Sequence, residues 1–203
     1  MSDYFYEPRK GHGLPHDPFK AIVAPRPIGW IGTTDAQGRP NLAPYSFFNA
    51  ISSFPPMVYF NSEGRKDSLN NVEATGEFTC SLVSAPLARA MNATSAPLAA
   101  GVNEFTLAGL DMAPSLRIKP PYVAEAIAAL ECKVTQIIQL AGIDGVKFQT
   151  WMVLGEVIGV HIDDRWLKDG IFDTAGANPI ARCGYRGDYT EVVSLFEMIR
   201  PTA

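Results

Sequence analysis

Two long runs in the second half of the chain place the strongest limit on its fold. AIAALECKVTQIIQL at 126–140 alternates apolar and polar positions after Leu130, and VKFQTWMVLGEVIGVHI at 146–162 is dense in β-branched and aromatic residues. Successive side chains on a strand point to opposite faces, so both runs predict strands. AGIDG at 141–145 separates them and is compatible with a turn, which predicts a long antiparallel hairpin. Gly155 and Gly159 interrupt the second run. They weaken helix continuity there and mark positions where a strand bends or bulges. Bent strands suit a small curved barrel.

The remaining segments agree with a sheet protein. PIGWIGTT at 27–34, the turn-compatible DAQG at 35–38 and a second run from Asn41 to Ile51 read as another hairpin. PMVYFN at 56–61 reads as a third strand, whose leading Pro55 and Pro56 confine its start to an edge, a first position or a bulge. The spacing of Leu69 and Val72 predicts a polar helix over 66–74 that Gly76 stops, and strand character returns in EFTCSLV at 77–83. PLARAMNAT at 86–94 predicts a short helix with Pro86 in its first turn. Repeated Pro and Gly make 95–121 a shaped connection, and Pro8, Gly11, Gly13, Pro15, Pro18 and Pro25 make 1–25 an irregular arm. EVVSLFEMIR near the end is apolar-rich, with strand and helix both open. No repeat or polar linker divides the chain, so residues 1–203 read as one domain, predominantly β with short helices.

Composition excludes several classes of partner. Seventeen Lys and Arg against 21 Asp and Glu give a net charge of −4, so there is no general attraction to nucleic acid or anionic lipid, although a local basic pocket is compatible with it. The start, MSDYFYEPRKGHG, has no apolar signal core, and no stretch approaches the roughly 18 apolar residues of a spanning helix. Cys80, Cys132 and Cys183 form no CxxC and are odd in number, which favours a reducing, cytoplasmic setting. Cys80 and Cys132 read as buried small hydrophobes. Cys183, between arginines in ARCGYRG, is open to thiolate character, without a histidine near it in sequence.

Common catalytic signatures are absent: there is no GxGxxG after a strand, no GxxxxGK[ST], no HExxH and no GxSxG. His12 and His16 sit among Gly and Pro in the arm, and His161, Asp163 and Asp164 in VHIDD read as a strand end and a solvated turn, so no metal is expected. Two polar islands are more informative. SEGRKDS at 62–68 sets Arg65, Lys66 and Ser68 before a helix start, which is either a solvated helix entrance or an anion site built from charge, hydroxyl and helix N–H groups. NLAPYSFFN at 41–49 offers Ser46 and Asn49 as hydrogen-bonding groups beside Tyr45, Phe47 and Phe48, which serve either a core or a heteroaromatic ligand.

Taken in order, RPIGWIGTTDAQGRPNLAPYSFFNAISSFPPMVYF at 26–60, RKDSLNNVEATGEF at 65–78, MNATSA at 91–96, NEFTLAGL at 103–110, PYVAEAIAALECK at 121–133 and GEVIGVHIDD at 155–164 closely resemble the flavin reductase-like FMN-binding proteins, including the flavoredoxin-type members. The resemblance implies an FMN-binding split β-barrel, a homodimer, and FMN held near the subunit boundary. It makes Arg26, Pro27, Thr33 and Thr34 one wall of the flavin site and sets Ser46, Phe48 and Asn49 along the ring. Ser62, Arg65, Lys66, Asp67 and Ser68 would lie at the phosphate and ribityl end, with Asn92 and Thr94 as further lining. Asp67 and phosphate are both anionic, so orientation of Lys66 or a ribityl contact suits it better than direct ligation. Tyr185 and Tyr189 would cover the substrate approach. No catalytic side chain is implied, because the chemistry falls to flavin N5. The implied activity is hydride transfer from NADH or NADPH through FMN to a flavin or another small-molecule acceptor. The alternative is an FMN-binding electron carrier reduced by a separate redox protein.

Overall fold

The computed structural model describes residues 2–99 and 101–201. The arm contains only a 3-10 turn at Pro8–Lys10 and one helical turn, α1 (Phe19–Ile22). The chain then forms β1 (Arg26–Pro27), β2 (Gly29–Thr34) and β3 (Pro40–Tyr45). β2 and β3 are an antiparallel hairpin, held at its turn by Asp35, whose Oδ1 accepts from the N–H groups of Gln37 and Arg39 at 2.9 Å each.

The run expected from Asn41 to Ile51 is two strands. It breaks at Ser46 and Phe47, after which β4 (Phe48–Ser53) pairs with β5 (Pro56–Glu63). Pro40 and Pro44 lack N–H donors, which suits β3 to a sheet edge. The seven long strands run β3-β2-β6-β9-β10-β5-β4, where β6 is Glu77–Ser81, β9 Ala128–Ala141 and β10 Lys147–Ile162, and every neighbouring pair is antiparallel. Ser46 and Phe47 therefore carry the chain from one edge of the sheet to the other. The sheet curls so that Tyr45 of β3 meets Phe60 of β5 with ring centroids 4.9 Å apart.

The curl is built into β10. Its register with β9 shifts between Leu154 and Gly155 and again between Val157 and Gly159, at the two glycines expected to mark bends. Gly155 is required sterically as well, since a Cβ there would stand 2.5 Å from the Phe78 ring. Inside the curl, Ile31, Phe60, Leu69, Val72, Phe78, Cys132 and Val153 form one apolar cluster. A second cluster, with Trp30, Leu42, Met91, Phe105, Val123 and Ile180, lies across β2 and β3. Burial on both sides explains why every residue of β2 is buried.

Helix α2 (Asp67–Thr75) ends at Gly76, whose φ of 71° places it in the left-handed region and whose N–H bonds back to Val72 O at 2.9 Å. A 3-10 turn containing Pro86 leads into α3 (Ala88–Ala93), and α4 (Glu104–Ala108) interrupts the long connection. β7 (Met112–Ala113) pairs with β8 (Tyr122–Val123), and β11 (Leu167–Lys168) with β12 (Ile171–Phe172). After α5 (Thr174–Ala177), β13 (Ile180–Arg182) lies between β1 and β14 (Tyr189–Glu191) in a small third layer. The apolar finishing segment supplies only the end of β14. From 192 to 201 the chain is irregular and leaves Leu195, Phe196, Met198 and Ile199 exposed. Among the described residues no helix is long and apolar enough to cross a membrane.

Candidate functional site

The strongest local feature stands at the start of α2. Its N-cap residue, Lys66, makes no side-chain capping bond, so the N–H groups of the first turn have no acceptor from the cap, and two cations stand beside them in sequence. Arg65, Lys66, Asp67 and Ser68 line a cleft of about 600 Å³ together with Asn41, Pro44, Thr94 and Ser95. Arg65 lies over the Trp151 ring, 5.5 Å from its centroid, and pairs with Glu73. Lys66 has no ion-pair partner among the described residues.

Beneath these charges the floor is polar and ordered. Asn41 Nδ2 donates to Ser68 Oγ at 3.0 Å and to Thr33 Oγ1 at 3.2 Å, and Asn71 Nδ2 donates to the same Thr33 oxygen at 3.0 Å. The Tyr45 hydroxyl is buried and makes no hydrogen bond of normal geometry. Burial raises its pKa, an effect the adjacent Ser68 and Ser62 hydroxyls partly offset. Glu104, only 8% exposed, accepts from the Leu42 N–H at 3.0 Å and lines the same cleft. Burial is the main cause that raises its carboxyl pKa, and the charge of Asp67 adds to it. Glu104 lies in NEFTLAGL but is not among the residues that the sequence marks out; the local signal for it is its place in the first turn of α4, next to the N-capping Asn103.

A second cleft of about 590 Å³ continues from the first, sharing Pro44 and Ser95, and is lined by Ser46, Asn92, Arg182, Arg186 and Tyr189. A third, of about 540 Å³, shares Arg182 and Arg186 with the second and holds Tyr185, Arg26 and Lys20. The structure thus brings Ser46, Arg65, Lys66, Asp67, Ser68, Asn92, Thr94, Tyr185, Tyr189 and Arg26 onto one continuous surface.

Pro27, Thr33, Thr34, Phe48, Asn49 and Ser62 lie outside these three clefts, whereas Arg26 and Thr94 line them. Thr33 and Thr34 are buried in β2, with Thr33 one hydrogen bond behind the cleft wall. Pro27 is paired with Ala181 in the third layer. Phe48 packs beneath Gly29, where a Cβ would stand 2.5 Å from its ring, and joins the inner core. Ser62 is buried and donates to Gly64 O at 2.8 Å. Asn49 is exposed on the edge strand β4 and accepts from the Ala50 N–H. Arg26 reaches the surface only in the third cleft, its guanidinium bonded to the Lys20 and Val23 carbonyls. Thr94 does line the first cleft, where it also accepts from Trp30 Nε1 at 2.9 Å.

Among the described residues no group of three or more His, Cys, Asp or Glu side chains is placed to hold a metal ion. His161 instead lies 2.6 Å from Glu131 and stacks on Tyr122 with centroids 4.4 Å apart.

A strand-dominated curled barrel with a cationic helix start opening on a cleft places the chain among the split β-barrel proteins. The chain belongs to the flavin reductase-like family: the family described as "Flavin reductase like domain" matches residues 23–177. It is 40% identical over 195 residues to an uncharacterized protein of Deinococcus radiodurans, covering 90% of this chain and 82% of that one. Among solved structures, it is similar to nitrilotriacetate monooxygenase component B from Bacillus cereus, with a TM-score of 0.87, 26% identity and coverage of 98% of this chain and 100% of that one. It is also similar to 2-nitrobenzoate 2-nitroreductase from Pseudomonas fluorescens, with a TM-score of 0.80, 26% identity and coverage of 91% and 89%.

Proposed function

We propose that this chain is an FMN-dependent oxidoreductase that takes hydride from NADH or NADPH and delivers reducing equivalents to a flavin or another small-molecule acceptor. The observation that carries the reading is the start of α2, without a side-chain cap, with Arg65, Lys66 and Ser68 on a cleft of about 600 Å³ that continues into a second of about 590 Å³. The residues present fit that cofactor. Lys66, Arg65 and the free N–H groups suit a phosphate, while the unsatisfied Tyr45 hydroxyl, Ser68 and Asn41 suit the polyol next to it. When bound, FMN supplies the hydride-accepting ring chemistry that no side chain of the chain provides.

The protein's own contribution is positional. Ser46 and Asn92 line the second cleft with hydrogen-bonding groups, and Tyr189 adds an aromatic ring to the same lining. A neutral Glu104 would add a proton donor to the floor, whereas an ionised one would repel phosphate, so its raised pKa favours anion binding. Two solved relatives above 25% identity carry the names of a monooxygenase component and a nitroreductase, which supports a redox role. A homodimer belongs to the same reading. The exposed apolar side chains at 195–199 offer contact surface for a second copy, and sedimentation across a wide concentration range tests it.

The test of the activity is anaerobic. Protein reconstituted with FMN is titrated with NADH and, separately, NADPH while the flavin absorbance is followed. Bleaching by either nucleotide supports the reading; stoichiometric FMN that neither reduces overturns it.

A further inference from the structure

The third cleft holds an unusual balance of charge. Lys20, Arg26, Arg182 and Arg186 line it against the single carboxylate of Asp17. None of the four cations pairs with a carboxylate among the described residues, although seven ion pairs form elsewhere in the chain. Asp17 Oδ1 also accepts from the Phe19 N–H at 3.0 Å, and its one negative charge leaves three cations in excess. Arg182 lies over the Tyr189 ring, 4.7 Å from its centroid, which orients the guanidinium without neutralising it.

Arg26 makes the cluster more than a solvated patch. It is 6% exposed, and its Nε is buried with no hydrogen-bond partner. A buried donor on a buried cation is costly to leave unmet, and the strand pairing of Arg26 with Arg182 sets a second like charge beside it. Burial, and after it the charge of Arg182, lower the Arg26 pKa, with Cys183 acting in the opposite direction. The feature is assembled from three separate segments: the arm, β1, and the end of β13 with the loop after it.

We propose that this cluster binds the pyrophosphate bridge of the nicotinamide nucleotide, beside the cleft that Arg182 and Arg186 share with the flavin-ring region. The assignment of the nucleotide rests on the function proposed above, whereas the anion site rests on the cluster itself. Guanidinium groups present paired donors that match phosphate oxygens, and two adjacent phosphates match the excess of cations better than one carboxylate does.

The experiment is calorimetric titration at constant ionic strength with inorganic pyrophosphate, with NADP+, which cannot deliver hydride, and with benzoate as a monocarboxylate control. Wild type, Lys20→Ala, Arg186→Ala and Arg186→Lys are compared, each saturated with FMN and each checked for thermal unfolding. The expected result is about tenfold weaker pyrophosphate and NADP+ binding for Arg186→Ala, the size of one charge-assisted bond, a smaller loss for Lys20→Ala and partial rescue by Arg186→Lys. Wild-type affinity for both phosphate ligands in folded Arg186→Ala and Lys20→Ala overturns the proposal. So does benzoate binding that matches pyrophosphate and falls equally in the variants, because the site then serves a carboxylate acceptor. The titration with pyrophosphate is repeated without FMN. Arginine-dependent binding there upholds the phosphate site even where FMN fails to bind and the proposed function falls.

Discussion

The Oε2 atom of Glu104 accepts a hydrogen bond from the Leu42 N–H at 3.0 Å, joining the start of α4 to the edge strand β3 beneath the first cleft. The contact supplies a buried acceptor for a buried donor. Replacing Glu104 with Ala orphans that N–H and should cost about 1–3 kcal/mol of stability. The Glu104→Gln side chain keeps an acceptor and should lose much less.

The pH dependence of the same pair has a definite sign. The folded-state pKa of Glu104 is raised above its ordinary 4.5, so its favourable contribution is full below that value and declines as pH rises through the folded value. Glu104→Gln removes the ionisation. Its stability relative to wild type should therefore improve progressively as pH rises from 4.5 towards neutrality, measured by denaturant unfolding at a series of pH values. A constant difference across the series would show that Glu104 does not titrate in that window.

Arg65 and Lys66 are neighbours with different freedom. Arg65 is held by Glu73 and by the face of Trp151, whereas Lys66 has no carboxylate partner among the described residues. Lys66→Ala should weaken FMN by roughly 1–2 kcal/mol and shrink the preference for FMN over riboflavin, and Arg65→Ala should do so by a similar or smaller amount. Glu73→Gln should tighten FMN slightly by releasing Arg65. Parallel FMN and riboflavin titrations at fixed ionic strength check all three. An undiminished preference for FMN in folded Lys66→Ala and Arg65→Ala would remove the phosphate pole from the start of α2.

Glu131 is 1% exposed and accepts from the N–H groups of Leu116 and Arg117, both at 2.7 Å, as well as facing His161. Burial pushes its pKa up, but those hydrogen bonds outweigh burial and hold it below the ordinary value of 4.5. Its contribution is thus present above pH 4.5 and lost as pH falls through the lowered value. Glu131→Ala should cost about 3 kcal/mol or more, since two buried N–H groups lose their acceptor. A loss below about 1 kcal/mol in chemical denaturation would show that the loop at 116–117 finds other partners.

Gly155→Ala tests the barrel bend. The added methyl meets Phe78 at 2.5 Å, so Phe78 or β10 must move, at a cost of about 1–3 kcal/mol. A Gly159→Ala control, whose nearest contact is 3.3 Å from Glu131, should cost less. Equal unfolding midpoints for the two variants would refute a steric role for Gly155.

Local signals were legible wherever consecutive residues decide the outcome. The alternation after Leu130, the β-branched run of β10, its two bulge glycines and the Gly76 stop of α2 depend on period and backbone freedom, which are properties of short stretches. SEGRKDS was readable for the same reason, because a helix start and the charges before it are contiguous. Tertiary structure decided the rest. The break at Ser46 and Phe47 follows from the closing of a curled sheet, which forces one run to serve both edges. Thr33 and Phe48 turn inward because layers pack on both sides of β2 and against Gly29, so strand alternation no longer separates core from surface there. Glu104 under the first cleft, and Arg26 beside Arg182 and Arg186, are meetings between segments far apart in the chain. Burial and electrostatics act on such meetings through space, and no spacing along the sequence encodes them.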